Sequence, residues 1–149
     1  DMQFSVSIEY AIHGMIYLAR AGGEKAVLLA DIAAAIKVPK EYMRKIFQML
    51  TRGGLITGRR GAGGGYRLAR PAGELTLRQV VEAVEGSLPL YGCLHMRRHC
   101  ELSLSCPVQK AFDAARQKMA EALQGTTIAE LTREIAENRR EHSWLKVTA

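Results

Sequence analysis

The sequence has little of what marks fibrous, disordered or membrane proteins. Only 6% of its 149 residues are aromatic, it contains four prolines, and its one low-complexity feature is the short glycine cluster of residues 61–65. The longest apolar runs, residues 26–30 and 32–36, are far shorter than the ~18 residues of a transmembrane helix. With 48% hydrophobic and 24% charged residues, the composition is that of an ordinary globular protein.

The N-terminus carries no charged stretch followed by an apolar run, which is the pattern of an export signal. Asp1 precedes Met2, so we count the first domain from Met2. We therefore expect a cytoplasmic protein without a membrane partner.

Cysteine is scarce and confined to one stretch, because all three cysteines lie within residues 93–106. An odd number without an export signal argues against a disulfide framework. The spacing Cys93-x6-Cys100-x5-Cys106 is wider than the paired cysteines of a zinc knuckle. Iron–sulfur clusters are held by thiolates from loops of this kind, usually with four ligands. Cys106 precedes Pro107 at the start of a predicted helix, where the helix dipole favours a thiolate.

A cluster here needs a fourth ligand that is not cysteine. The candidates fall into two groups, the histidines of the same loop and a Glu/His pair one turn apart on the first helix: His95, His99, Glu9 and His13.

Positive charge is concentrated in one block. The formal net charge is +6, yet residues 37–70 contain nine Lys and Arg against a single acid, Glu41. A basic block in an otherwise slightly acidic chain indicates contact with a polyanion. A solvated basic surface remains the alternative on charge alone.

Apolar periodicity predicts three helices before this block ends, over residues 5–21, 29–36 and 39–52. The third is amphipathic. Its apolar face carries Met43, Ile46, Phe47 and Leu50. Its polar face carries Lys40, Glu41, Arg44, Lys45, Gln48 and Arg52.

After the third helix, apolar residues recur at every second position. This spacing predicts strands at residues 55–57 and 66–68, joined by a glycine-rich basic tip at residues 58–65. Capping boxes at Thr76 and Thr127 start two later helices, and Pro107 opens a long helix to about Gln124. The fold class is therefore mostly α with a small β-hairpin.

The order of these elements is that of a winged helix-turn-helix followed by a long helix. The third helix presents cations to the major groove, and the tip carries Arg59, Arg60 and Gly61 towards the minor groove. A nucleotide-binding loop is the weaker reading of the glycines, because no Gly-Lys-Ser/Thr follows and the loop leads into a strand.

The chain resembles the bacterial IscR/NsrR family of winged-helix regulators over about residues 4–131. The motifs that carry the resemblance are EYAI (9–12), DIA (31–33), VPKEY (38–42), GGLI (53–56), RGAGGGYRLARP (60–71) and LTLRQVV (75–81), followed by the three-cysteine loop.

The resemblance implies a homodimeric transcription regulator whose helix 107–124 packs against its counterpart. It implies a [2Fe-2S] or [4Fe-4S] cluster on Cys93, Cys100 and Cys106, whose loss, oxidation or nitrosylation changes DNA affinity. For the DNA contacts it implies Tyr42, Arg44 and Lys45 on the recognition helix and Arg60 in the wing.

Two positions depart from one branch of that family, and two others match further branches. The IscR branch has a histidine where this chain has Gln109, and it tends to have a glutamate where this chain has Arg44. Other branches use an acid from the partner's first helix, which corresponds to Glu9, and a further branch uses Glu and His together, which brings in His13. We take Glu9 as the fourth ligand and His13 as the alternative.

These observations together predict a DNA-binding domain at residues 2–86, a cluster-binding loop at 87–106 and a dimerisation helix with a C-terminal helix at 107–149. The expected function is a homodimeric regulator that binds a double-stranded DNA operator through Lys40, Tyr42, Arg44, Lys45, Arg59, Arg60 and Gly61. No enzymatic motif and no small-molecule substrate is indicated. Direct thiol oxidation or zinc binding is the alternative for the cysteines, and a thiol redox protein or electron carrier is a more distant one.

Overall fold

A computed structural model describes residues 4–86 and 106–138. Cys93, His95, His99 and Cys100, and with them nearly all of the predicted 87–106 loop, lie outside the described residues. None of the helices in the described part of the chain is long and apolar enough to span a membrane.

Six α-helices and one hairpin make up the described structure. In chain order they are α1 (Val6–Arg20), α2 (Leu29–Ile36), α3 (Lys40–Arg52), β1 (Ile56–Arg59), β2 (Gly65–Leu68), α4 (Leu77–Glu85), α5 (Pro107–Gln124) and α6 (Ile128–Glu137), with a short 3-10 turn at Ala72–Glu74 between β2 and α4. This order confirms the mostly helical winged-helix fold that the sequence predicts.

A tight turn joins α2 to α3. Lys37 ends α2 in the left-handed region at φ 60°, and Pro39, whose missing N–H costs nothing there, caps the start of α3. The amide of Val38 donates to the carbonyl of Ala33, which closes the turn. These three residues set the angle at which the recognition helix leaves α2.

The hydrophobic core lies where α1, α2, α3, α4 and the hairpin meet. Its fully buried large side chains are Met15, Leu18, Ile32, Met43, Ile46, Phe47, Leu50, Leu55, Ile56, Leu75 and Ile128. Ile128 belongs to α6, so the C-terminal helix shares the core of the DNA-binding part.

The hairpin is longer than the sequence pattern predicts. Its antiparallel register pairs Ile56 with Leu68 and extends to Arg59 opposite Gly65. Gly58 and Arg59 therefore belong to β1 rather than to the tip, which is a correction to the predicted tip at residues 58–65. The polar, glycine-rich sequence of this segment has no alternating apolar pattern, so ladder hydrogen bonds extend the strand where periodicity gives no signal.

Both predicted capping boxes are present, and they lie side by side. Thr76 accepts from the amide of Gln79 while the Gln79 side chain accepts from the amide of Thr76, and Thr127 and Glu130 do the same for α6. The backbone joins the two helix starts, because Leu77 N donates to Thr126 O and Ile128 N donates to Leu75 O. This arrangement ties the start of α6 to the start of α4.

Apolar side chains along α5 differ in exposure from one end of the helix to the other. Val108 is 49% exposed and Phe112 is 37% exposed, while Met119, Ala120 and Leu123 at the other end of the helix pack inward. Among the described residues, the apolar stripe of this helix is therefore more buried at its C-terminal end than at its N-terminal end.

We expect Thr76→Ala to lower the free energy of unfolding by about 1 kcal/mol, because the cap is lost at a buried helix start. Thr51→Ala is the control, since Thr51 is exposed within α3 and its change should stay within about 0.5 kcal/mol. Urea unfolding of both variants measures the difference. Equal urea midpoints of unfolding for Thr76→Ala and Thr51→Ala would contradict a stabilising role for the cap.

Candidate nucleic-acid interface and cluster ligands

The α3 helix has one buried face and one cationic face. Met43, Ile46, Phe47 and Leu50 are at most 1% exposed. The predicted DNA contacts Lys40 and Lys45 are exposed on the other side, and Arg44 lies on that side half-exposed. The structure therefore presents α3 as the sequence predicts for a recognition helix.

Phe47 holds α3 against two other elements. Its ring meets that of Tyr66 on β2 edge to face, with 5.0 Å between the ring centroids. On the other side α1 approaches so closely that a Cβ at Gly14 would lie 2.6 Å from Phe47 Cε1. The recognition helix is thus positioned by α1 and the hairpin together.

Tyr42 lies between α3 and α1 rather than fully in solvent. It is half-buried, its hydroxyl lies 2.7 Å from Ser7 Oγ, and its ring is edge-on to Tyr10 at 5.7 Å. The hydroxyl predicted to meet DNA is therefore also bonded to the helix that carries Glu9 and His13.

A groove of about 700 Å³ separates α3 from the hairpin. It is lined by Arg44, Gln48, Thr51, Arg52, Gly58, Arg59, Arg60, Gly65 and Tyr66. Four of these residues are arginines, and none of the described residues that line the groove is acidic. The groove thus joins one predicted contact on α3, Arg44, to Arg59 and Arg60 of the hairpin in one cationic surface. The other predicted contacts do not line it: Lys40, Tyr42, Lys45 and Gly61.

The groove adds Gln48 and Arg52 to the candidate interface. The sequence places them on the polar face of α3 without assigning them to the site. Their spacing from Arg44, four and eight residues, was the signal that one stripe of the helix would face the wing.

The tip of the wing is a tight glycine turn. Gly61 and Gly63 have φ values of 88° and 71°, and a Cβ at Gly64 would clash with the carbonyl oxygen of Arg59. Only glycine accepts this geometry without strain. The turn leaves Arg59, Arg60 and Gly61 exposed at the end of the hairpin.

The candidate ligands on α1 are placed as the sequence predicts. Glu9 is exposed and His13, one turn further along, is half-buried. Burial lowers the pKa of His13 below its usual value, and the negative charge of Glu9 partly opposes that shift. His13 is therefore biased towards the neutral imidazole, the form that binds metals.

Cys106 is the one candidate cysteine that the described residues include. It is half-buried at the N-cap of α5, and a cysteine sulfur is the donor type that holds iron in iron–sulfur clusters. Gln109, in the position of the IscR-branch histidine, donates to Asp113 along the same helix at 3.1 Å. Within residues 4–86 and 106–138 no three His, Cys, Asp or Glu side chains come together as a metal site.

Known structures with this architecture are transcription regulators. The chain is similar to IscR of T. potens, at 24% identity and a TM-score of 0.71 over 94% of this chain and 93% of that one. It is also similar to CymR, the global cysteine regulator of B. subtilis, at 25% identity and a TM-score of 0.72 over 90% and 98% of the two chains. These similarities show that the chain has the fold of winged-helix regulators.

The sequence comparisons identify the family. The Rrf2 family, described as iron-dependent transcriptional regulators, matches residues 4–134. Protein aau3 of Rhizobium meliloti (strain 1021) is 38% identical over 133 residues, which are 89% of this chain and 86% of that protein. The chain belongs to the Rrf2 family of transcription regulators.

Proposed function

We propose that this protein is a homodimeric transcription regulator that binds an operator through α3 and the wing and senses iron–sulfur, redox or nitric oxide status through a cluster on Cys93, Cys100 and Cys106. The observation that carries the DNA-binding part is the arginine-lined groove between α3 and the hairpin, since it joins the two elements that a winged helix places in adjacent grooves.

The DNA contacts follow from this geometry. Lys40, Arg44 and Lys45 enter the major groove with α3, and the sugar–phosphate strand that separates the grooves runs over the arginines between helix and wing. At the wing, Arg60 faces the narrow minor groove, where the negative potential is strongest. Tyr42 fixes the angle of α3 through Ser7 at the edge of this surface.

The dimer forms through α5. The helix has an exposed apolar stripe that is continuous with its buried end: Val108, Ala111, Phe112 and Ala115. A second copy of the chain carries the same stripe, so two α5 helices can cover each other's apolar side chains about a twofold axis. A twofold dimer also places two recognition helices on half-sites one DNA turn apart.

The cluster ligands connect sensing to DNA binding. When bound, an iron–sulfur cluster supplies a centre whose charge and integrity change with electrons, iron and nitric oxide. Glu9 of the partner subunit completes the cysteine ligands, with His13 as the alternative. Because Glu9 shares α1 with Ser7 and Tyr10, a ligand bond at Glu9 acts on the helix that contacts Tyr42 of α3.

One observation favours a second function for the thiols. CymR of Staphylococcus aureus, at 27% identity and a TM-score of 0.66 over 88% of this chain and 96% of that chain, has been solved in an oxidized form. The second candidate therefore keeps the DNA-binding dimer and senses oxidants by direct oxidation of cysteine.

We expect Arg60→Ala to weaken binding to a duplex selected from a random library about tenfold. The slope of log K against log salt should also become shallower by about 0.9, because one cation fewer neutralises the charge of the DNA. Arg133→Ala on α6, where Arg133 is exposed and paired with Glu137, is the control. Fluorescence anisotropy at several salt concentrations measures both; equal affinities of Arg60→Ala and the wild type would contradict the wing contact.

Anaerobically purified protein should absorb in the visible range and contain iron and sulfide in comparable amounts. Cys106→Ala should lose that absorbance, and Glu9→Gln should lose most of it because an amide is a poorer ligand than a carboxylate. Glu24→Gln is the matched control, since Glu24 is exposed outside α1. A protein that stays colourless after anaerobic reconstitution contradicts the cluster, and peroxide-dependent loss of free thiols would then support the second candidate.

We expect Val108→Glu to raise the dimer dissociation constant on the order of 100-fold or more, because each copy would bury an unpaired charge. Gln117→Glu lies on the opposite side of α5 and should leave the dimer intact. Sedimentation velocity, with circular dichroism to confirm helix content, gives the result. If the dimer dissociation constant of Val108→Glu equals that of the wild type, α5 is not the dimer interface.

A further inference from the structure

Glu41 is the exception in the basic block. It is the only acid among residues 37–70, and it stands in the first turn of α3. Its side chain is 78% exposed, on the stripe that continues through Arg44 and Gln48 into the groove facing the wing. In a surface that neutralises phosphates, a carboxylate at this place opposes binding to any duplex.

Glu41 forms an ion pair with Arg44, which lies one helical turn further along α3. Arg44 Nε donates to Glu41 Oε2 at 3.3 Å, and the Arg44 side chain is 41% exposed. Exposed ion pairs of this kind contribute little to stability. The consequence of the pair is therefore positional: the guanidinium is kept at the first turns of α3 instead of reaching freely for a phosphate.

The first turns of a recognition helix are the part that reaches base edges. There, an arginine donates to O6 and N7 of guanine, and a carboxylate accepts from N4 of cytosine. Glu41 and Arg44 together present a hydrogen-bond acceptor beside a hydrogen-bond donor. In the major groove, cytosine is complementary to the acceptor and guanine to the donor.

We propose that Glu41, paired with Arg44, determines sequence specificity by selecting a G·C pair in each half-site and by weakening the complex with other sequences. At a matching site the carboxylate accepts from cytosine. At any other site it lies beside phosphates without a donor from the DNA and keeps Arg44 from neutralising one of them, so mismatched complexes are penalised. This inference rests on the proposed DNA-binding function.

The test is binding-site selection from a random duplex library with the wild type and Glu41→Gln, followed by affinities for the selected site and for a duplex of unrelated sequence at several salt concentrations. Glu137→Gln is the matched control, since Glu137 is also exposed and paired with an arginine, but on α6.

We expect wild-type sites to have a G·C pair at one symmetric position per half-site and Glu41→Gln sites to lose that preference. Glu41→Gln should bind the unrelated duplex about tenfold more tightly, with a salt slope steeper by about 0.9 as Arg44 becomes free for a phosphate. The ratio of specific to unrelated affinity should fall at least tenfold, and Glu137→Gln should match the wild type.

Unchanged base preference and unchanged affinity for the unrelated duplex in folded Glu41→Gln would overturn the inference and leave Glu41 as a favourable charge at a helix start. Failure of the underlying function gives a different result, because the wild type itself would then enrich no sequence and show no salt-dependent binding. Urea unfolding confirms that Glu41→Gln is folded in either case.

Discussion

Burial of the apolar face of α3 is the interaction on which the rest of the structure depends. Phe47 touches α1 at Gly14 and β2 at Tyr66, so one side chain sets the position of the recognition helix against both its neighbours. The close approach at Gly14 leaves no room for a larger residue, so this spacing of α1 and α3 requires glycine at position 14. The polar face of α3 takes its direction from that packing.

The same packing makes the groove. The wing stands beside α3 because Tyr66, Ile56 and Leu68 bury against the core, and this places the arginines of helix and tip around one channel. A surface with four arginines favours any polyanion. The carboxylate of Glu41 is the element that opposes indiscriminate binding, so affinity and selectivity come from opposite charges on one helix.

The proposed sensing site and the proposed DNA-binding surface share α1. Glu9 and His13 lie on one stripe of this helix, and Ser7, Tyr10 and Gly14 lie on the stripe that contacts α3. A helix is stiff along its length, so a displacement of α1 at Glu9 also displaces Ser7, which is hydrogen-bonded to Tyr42. The paired caps at Thr76 and Thr127 hold α6 to the same body, next to the end of α5 whose apolar side chains pack inward.

The sequence by itself determined the order of the elements, the two capping boxes, the cationic face of α3 and the glycine wing, because periodicity, caps and tight turns are local properties of a few neighbouring residues. It did not place the end of β1, since ladder hydrogen bonds extend a strand through residues that carry no alternating pattern. Only the tertiary structure decided that Gln48 and Arg52 share a groove with the wing, that the Tyr42 hydroxyl meets Ser7, and that the two capped helix starts are joined. Those relations link residues up to some fifty positions apart, and they depend on how buried faces fit together, which no local pattern specifies.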